Sequence, residues 1–226
     1  MTRVFLFDID NTLLYTGGAG GVAMNAAFRD LFGISNGFAR IEFSGRTDLH
    51  ILSAGLDEHN VPGDRAYHLD QFLARYYELL PHALRQCDGY LMPGFPQLLE
   101  TLAAEADARL GLATGNFSQA AHIKLEYYGI DSFFSGGGFG EESLDRADVV
   151  RAAITEVAGR AARQDILVIG DTPHDITSAL ESDVVAVGVA TGNYSVDQLR
   201  ESGAHLAFEN FADWQASAEA LLASAL

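Results

Sequence analysis

The chain has 226 residues, enough to bury a sizeable core as one large domain or two smaller ones. Hydrophobic residues make up 48% and charged residues 20%, a balance typical of globular and not of disordered proteins. The formal net charge of −17 argues against nucleic acid or an anionic membrane as a partner, and the single cysteine, Cys87, excludes an intrachain disulfide.

Short apolar runs, each ending abruptly at a polar residue, predict the strands. In chain order they are VFLF before Asp8, LGLA before Thr114, ILVIG before Asp171 and VVAVGVA before Thr191. Continuous apolar character is typical of strands covered on both faces, and helical patterns lie between the runs. The sequence therefore predicts an α/β fold with a parallel sheet. The tail from about residue 204 adds one edge strand and a last helix.

The region from about residue 20 to residue 87 shows helical patterns and no convincing strand. GVAMNAAFRDLFG is amphipathic with Gly33 as its stop, and HLDQFLARYYELL is expected to end before Pro81. We predict an all-helical cap at 17–89, entered through a flexible TGGAGG, inside a core formed by 1–16 and 90–226. GAGGVA also fits a loose dinucleotide-binding pattern, but polar residues separate it from the first strand, which favours a hinge.

Polar residues that follow the ends of predicted strands form the candidate site. In open parallel sheets, ligands bind in a crevice outside the carboxyl ends of the strands. Four carboxylates gathered there would repel one another without a cation, and oxygen ligands suit Mg²⁺. The residues concerned are Asp8, Asp10, Thr114, Asn116, Asp171 and Asp175. Two alternatives stay open: Asp8 and Asp10 as solvated turn residues, and Asp175 as the N-cap of the next helix.

Three motifs in this chain resemble those of the haloacid dehalogenase-like (HAD) superfamily. They are DIDNT at 8–12, LATGN at 112–116 and IGDTPHD at 169–175. The helical insert resembles the C1-type cap of phosphoglycolate phosphatase-like members. The resemblance implies a Rossmann-like core with an inserted cap, and a Mg²⁺-dependent phosphatase acting on a small phosphate monoester such as phosphoglycolate or a sugar phosphate. An aspartate at position 10 favours phosphoryl chemistry over dehalogenation.

The resemblance also implies a role for each motif residue. Asp8 would be the nucleophile that forms an aspartyl-phosphate, and Asp10 the general acid and later the general base. Thr114 and the following backbone N–H groups, at Gly115 and Asn116, would hold the phosphoryl oxygens. Asn116 would otherwise cap the next helix or touch the substrate. Mg²⁺ would be held by Asp8, the Asp10 carbonyl and Asp171, with Asp175 close by or acting through water.

The cation of the family's third motif has two candidates. Arg146, just before a predicted helix, is favoured, and as an arginine it would make a planar, bidentate contact. Lys124 lies inside the helix after Thr114, where a surface position is the default. In the insert, Arg46 either binds substrate or lies in a solvated loop whose Thr47 or Asp48 caps the next helix.

The expected partner is a small phosphorylated metabolite. VVAVGVA is too short to cross a bilayer and the N-terminus lacks signal-peptide features, so we expect a cytoplasmic protein, monomeric or homodimeric, without nucleic-acid or membrane partners. Two rival functions remain: a phosphomutase of the β-phosphoglucomutase kind, and a non-catalytic protein that binds a phosphate ligand on the same scaffold.

Overall fold

The computed structural model describes residues 2–141 and 143–224. Its strands are β1 (Arg3–Phe7), β2 (Leu14–Tyr15), β3 (Tyr90–Leu91), β4 (Ala108–Ala113), β5 (Gly137–Gly138), β6 (Ile166–Gly170), β7 (Val185–Val189) and β8 (Leu206–Phe208). Six of them form a parallel sheet in the order β5-β4-β1-β6-β7-β8. The predicted α/β fold is confirmed.

Helices cover the sheet and fill the insert. They are α1 (Ala19–Phe32), α2 (Asp48–Glu58), α3 (Arg65–Gln86), α4 (Gln97–Ala103), α5 (Ser118–Tyr127), α6 (Arg146–Ala153), α7 (Pro173–Glu181), α8 (Val196–Glu201) and α9 (Trp214–Ala223). Short 3₁₀ turns occur at Asp131–Phe133 and Arg163–Asp165, and α6 continues into a π-helical turn at Ile154–Ala158.

Strand β1 lies at the centre of the sheet, between β4 and β6. Val4 pairs with Ile166, and Phe7 pairs with both Leu112 and Ile169. Alternate residues of β1 enter two hydrophobic clusters on opposite faces, one containing Phe7 and the other Val4. Both faces of β1 are therefore buried, which is why its sequence is apolar without alternation.

Helices α1 to α3 form a helical insert between β2 and β3, the two strands of an antiparallel ribbon. The insert has its own hydrophobic cluster, which includes Phe28 and Phe72 and extends to Phe117 and Ala120 at the start of α5. The core helix α5 therefore packs against the insert as well as the sheet. The division into 1–16 with 90–226 and 17–89 stays a prediction.

Two local expectations in this region are wrong, and one strand of the core sheet was missed. Helix α3 continues through Pro81 to Gln86, because Leu80, Ala83 and Leu84 are buried, and their packing outweighs the roughly 3 kcal/mol that an interior proline costs. The glycines of TGGAGG are not all a flexible entry, since α1 already starts at Ala19. Strand β5 was not predicted, because two glycines carry no apolar signal.

The expected helix stop at Gly33 is confirmed. Its φ of 71° is left-handed, and its N–H donates to the carbonyl oxygen of Arg29. Among the described residues, none of the helices combines the length and the apolar character needed to cross a membrane.

Candidate active site

The ends of three neighbouring strands bring the motif residues to one edge of the sheet. Asp8 follows β1, Thr114 follows β4 and Asp171 follows β6, and all three are buried. The Asp8 N–H donates to the carbonyl oxygen of Ile169, which continues the strand pairing to the start of the site. The expected convergence at this edge is therefore present.

A tight turn after Asp8 sets the direction of Asp10. Asn11 adopts a left-handed φ of 61°, which asparagine tolerates better than most residues, and its N–H donates to the carbonyl oxygen of Leu14. The N–H groups of Leu13 and Leu14 both donate to the carbonyl oxygen of Ile9. This compact turn leaves the side chain of Asp10 lining a cavity above the strand ends.

Arg146 reaches into the site from the first residue of α6. Its Nη2 lies 2.7 Å from Asp8 Oδ1, 2.6 Å from Asp175 Oδ1 and 2.8 Å from the carbonyl oxygen of Ala113. Burial opposes the charge of the guanidinium, but Asp175 and Asp8 outweigh it and raise the pKa of Arg146. The expected bidentate contact is wrong, because one nitrogen makes all three bonds, and Nε has no hydrogen-bond partner among the described residues.

The carboxylates of Asp8, Asp171 and Asp175 form a cluster that could hold a metal ion. One oxygen from each lies within 4.8 Å of the others. Burial, together with the neighbouring Asp175 and Asp8, raises the pKa of Asp171 to about 9, because Arg146 offsets these effects only in part. Burial likewise raises the pKa of Asp8. Three crowded carboxylates with too little positive charge fit a hard divalent cation such as Mg²⁺.

Asp175 is the most constrained member of this cluster. Its Oδ1 accepts from Arg146, and its Oδ2 accepts from the N–H of Thr172 at 3.1 Å and from the Thr172 hydroxyl at 2.7 Å. The N-cap of α7 is Thr172, and Asp175 is the N3 partner in a capping box, so the N-cap alternative for Asp175 is wrong. With both oxygens engaged, Asp175 is placed to orient Arg146 and the strand end, while Asp8 and Asp171 remain for direct contact with a metal.

Lys124 lies inside the site, so the surface position expected by default is wrong. Its Nζ lies 2.6 Å from Asp10 Oδ2 and 2.6 Å from Asn116 Oδ1. Asn116 Nδ2 also donates to Asp10 Oδ2, over 2.9 Å. Lys124 is only 3% exposed, because α5 is covered by the sheet on one side and by the insert on the other. Asn116 thus contacts Asp10 and does not cap α5, whose N-cap is Phe117.

The insert closes the other side of the cavity, whose volume is about 270 Å³. Arg46 lines it, and no ion pair or side-chain hydrogen bond links its guanidinium to the described residues. The carbonyl oxygen of Arg46 approaches Gly115 so closely that an ideal Cβ there would lie 2.3 Å away. The expected cap is present, since Thr47 is fully buried and is the N-cap of α2. Arg46 itself is half-buried, and Phe43 earlier in the loop is exposed.

Asp48 is a buried acid of the insert that also lines the cavity. Its N–H donates to the carbonyl oxygen of Gly115, and its Oδ2 accepts from the N–H of Phe117. Burial raises the pKa of Asp48 to about 6, although Lys124 and the bond from Phe117 act in the opposite direction. The sequence suggested only a possible cap here, since nothing local reveals a partner 69 residues away.

Tyr76 was not anticipated as a cavity residue. It is buried on α3 and lines the cavity, and burial raises its pKa well above the usual value, with Asp48 and Asp10 adding to the effect. The sequence predicted a helix here, but only the fold shows that Tyr76 reaches the strand ends.

Comparison with protein families places the motifs in a known group. A sequence model of the haloacid dehalogenase-like hydrolases matches residues 5–179. A second model, described as HAD-hydrolase-like, matches residues 146–214. Together the two matches span residues 5–214, which include the helical insert and every strand of the parallel sheet except the first two residues of β1.

Individual proteins that resemble this chain share about a quarter of its residues. The chain is 25% identical over 230 residues to the probable phosphatase IndB of Dickeya dadantii, covering 98% of this chain and 96% of that protein. It is 26% identical over 199 residues to the pyrophosphatase PpaX of Oceanobacillus iheyensis, covering 83% of each. The crystal structure of a hydrolase from Pseudomonas syringae superimposes with a TM-score of 0.73 at 23% identity, covering 97% of this chain and 99% of that one.

Proposed function

The chain belongs to the haloacid dehalogenase-like hydrolases, a family of enzymes, and we propose that it is a Mg²⁺-dependent phosphatase that hydrolyses a small phosphate monoester through an aspartyl-phosphate. The names of the relatives IndB and PpaX support phosphatase chemistry. The observation that carries the proposal is that two acids of one turn have different cationic partners. Asp8 is bonded to Arg146, and Asp10 is bonded to Lys124.

Asp8 acts as the nucleophile. Its Oδ1 is held by Arg146, which leaves Oδ2 to attack phosphorus. The attack forms an Asp8–phosphorus bond and breaks the bond from phosphorus to the ester oxygen. Burial disfavours the ionised form that attack requires, and the guanidinium of Arg146 opposes this effect.

Asp10 supplies and removes the protons. As the acid, it gives a proton to the departing ester oxygen; as the base, it takes a proton from the water that attacks the aspartyl-phosphate. Its side chain is 37% exposed and lines the cavity, so both a leaving group and a water can reach it. After the second step Asp8 is free and phosphate is released.

Mg²⁺ would be held by Asp8, Asp171 and the carbonyl oxygen of Asp10, with Asp175 orienting the cluster. When bound, it supplies positive charge that stabilises the transferring phosphoryl group. The phosphoryl oxygens contact Gly115 and Asn116, which line the cavity, and Arg46 faces the remainder of the substrate. Thr114 is fully buried, and its Oγ1 accepts a hydrogen bond from the N–H of Asn116. The proposed partner is accordingly a small phosphorylated metabolite, and the acidic chain with one cysteine fits a cytoplasmic setting.

Phosphate release from p-nitrophenyl phosphate and a panel of small phosphate esters tests the proposal, with Mg²⁺ and with EDTA. We expect release that requires Mg²⁺ and that Asp8→Asn lowers by at least about 10³-fold. Asp183→Asn is the matched control, since Asp183 is exposed in a left-handed turn that asparagine also adopts. No release of phosphate by folded protein that binds Mg²⁺ would contradict the proposal.

A further inference from the structure

The chain contains one lysine, and that lysine is buried in the site. Of the 14 basic residues, 13 are arginine and one is Lys124. A surface charge is readily supplied by either residue type, and this chain uses arginine throughout. The only basic position that carries lysine is 124, and the ammonium group of Lys124 lies between Asp10 and Asn116.

The three side chains form a closed set of hydrogen bonds. Lys124 and Asn116 both donate to Asp10 Oδ2, and Lys124 also donates to Asn116 Oδ1. Asp10 Oδ1 receives no hydrogen bond from the described residues. One carboxylate oxygen is therefore fixed by two donors, while the other is left for the reacting groups.

The ammonium group is closely surrounded at the wall of the cavity. An ideal Cβ at Gly20, in the first turn of α1, would lie 3.6 Å from Lys124 Nζ and 3.7 Å from the hydroxyl of Tyr76. Because an ammonium group loses hydration when it is buried, it is bound firmly by the acceptors that replace water. The compact, rotatable ammonium of lysine fits this space, whereas a planar guanidinium is larger and would need more acceptors.

We propose that Lys124 is a positioning residue for Asp10. Together with Asn116 it fixes Asp10 Oδ2, so that Oδ1 is presented to the leaving oxygen and later to the attacking water. The inference rests on the proposed function, in which Asp10 transfers both protons. The two cations then have different roles, since Arg146 serves the nucleophile, whereas Lys124 serves the acid–base residue without forming a bond to substrate.

A direct contact of Lys124 with substrate is the competing explanation, and a double-mutant cycle separates the two. We expect Lys124→Met, which keeps the apolar stem, to lower kcat by about 10- to 100-fold while KM changes less than about threefold. In an Asp10→Asn background the same substitution should change kcat less than about twofold, because the group it positions is gone. p-Nitrophenyl phosphate, with its good leaving group, keeps the residual rate measurable.

The alternative outcomes are distinct. If the fold-losses in kcat caused by Lys124→Met and Asp10→Asn multiply in the double variant, the two residues act independently. That result, or a rise in KM as the main effect of Lys124→Met, would overturn the positioning role and indicate substrate binding. Wild-type protein without Mg²⁺-dependent release would contradict the proposed function itself. If Lys124→Met does not fold, Asn116→Ala replaces it in the cycle, because it removes the other donor to Asp10 Oδ2. In the Asp10→Asn background Asn116→Ala should likewise leave kcat nearly unchanged.

The single lysine also permits a spectroscopic test that does not depend on turnover. Protein labelled with ¹³C at the lysine ε-carbon gives one lysine signal. We expect Asp10→Asn and Asn116→Ala each to shift that signal, and Asp70→Asn, at an exposed position of α3, to leave it in place. A signal unchanged by Asp10→Asn would show that the pair does not exist in solution and would overturn the proposal.

Discussion

Asp48 of the helical insert accepts a hydrogen bond from the main-chain N–H of Phe117 in the core, over 3.0 Å. The N–H of Asp48 in turn donates to the carbonyl oxygen of Gly115, over 2.7 Å. One residue therefore joins the insert to the loop that carries the second motif. Because the carboxylate is buried, its charge state affects how firmly the two parts hold together.

Asp48→Asn should stabilise the protein at neutral pH. The folded-state pKa of about 6 exceeds the usual value of 3.8, so the folded protein binds the extra proton and stability falls as pH rises from about 4 to about 6. Asparagine keeps an oxygen for the Phe117 N–H and carries no charge. We expect the free energy of unfolding to rise by about 1–3 kcal/mol at pH 7.5 and to change little at pH 4, measured by urea denaturation.

Two variants control for this prediction. Asp70→Asn, at an exposed position, should show no such pH-dependent gain. Asp48→Ala should lose stability at both pH values, because the Phe117 N–H is left without a partner. A lower stability of Asp48→Asn at pH 7.5 would indicate that the ionised carboxylate strengthens the contact between insert and core.

Asp171→Asn should separate metal binding from folding. Without metal, the pKa of Asp171 is raised to about 9, so its ionisation opposes folding and asparagine should raise the melting temperature at pH 8. In wild-type protein, Mg²⁺ at 100 times its Kd should stabilise by about 2.7 kcal/mol, and more of it should bind as pH rises. Thermal unfolding with Mg²⁺ and with EDTA measures both effects. If Mg²⁺ still stabilises the Asp171→Asn variant, Asp171 is not a ligand of the metal.

Arg146→Lys should be tolerated far better than Arg146→Met. All three short contacts are made by the single atom Nη2, so the guanidinium acts here as a point charge that an ammonium group can replace. Methionine leaves Asp8 and Asp175 buried without a cation, which costs about 3–5 kcal/mol. Urea denaturation and phosphate release should rank the variants in that order. Equal losses for lysine and methionine would show that the shape of the guanidinium is needed.

Gly115→Ala should weaken the seating of the insert on the core. The new methyl group would meet the carbonyl oxygen of Arg46, so the loop must move, at a cost of about 1–3 kcal/mol. We expect kcat to fall and KM to rise in phosphate-release assays. Gly21→Ala is the matched control, because its Cβ would meet only the Phe43 ring at 3.7 Å, and alanine inside α1 should raise stability by about 0.5–1 kcal/mol.

The sheet could be predicted because its strands are buried on both faces. A run such as Ile166–Gly170 needs no knowledge of its neighbours to be recognised, and polar residues at strand ends mark one edge in any parallel sheet. The order of β4, β1 and β6 brings Asp8, Thr114 and Asp171 together, as expected for residues that follow neighbouring parallel strands. The strands, and the polar residues that follow them, can therefore be predicted from the sequence.

What could not be predicted depends on packing between distant segments. Lys124 looks like a surface residue in its own helix, and only the insert, packed against α5, makes its position a buried one. The continuation of α3 through Pro81 likewise depends on tertiary contacts of the last turn. Asp48 has no local sign of burial. Each of these features depends on contacts between segments far apart in the chain, and Lys124 and Asp48 lie at the boundary between the insert and the core.

The solitary lysine makes this boundary observable by chemical labelling. Reagents that acylate primary amines find no other ε-amino group in the chain, and this one is covered by α1 and Tyr76. Its rate of labelling therefore measures how often the ammonium group becomes accessible to solvent, as hydrogen exchange does for amides. Lys124 lines the cavity, so a substrate bound there would protect it, and the same reagent, followed by mass spectrometry, ranks candidate substrates by how well they occupy the site.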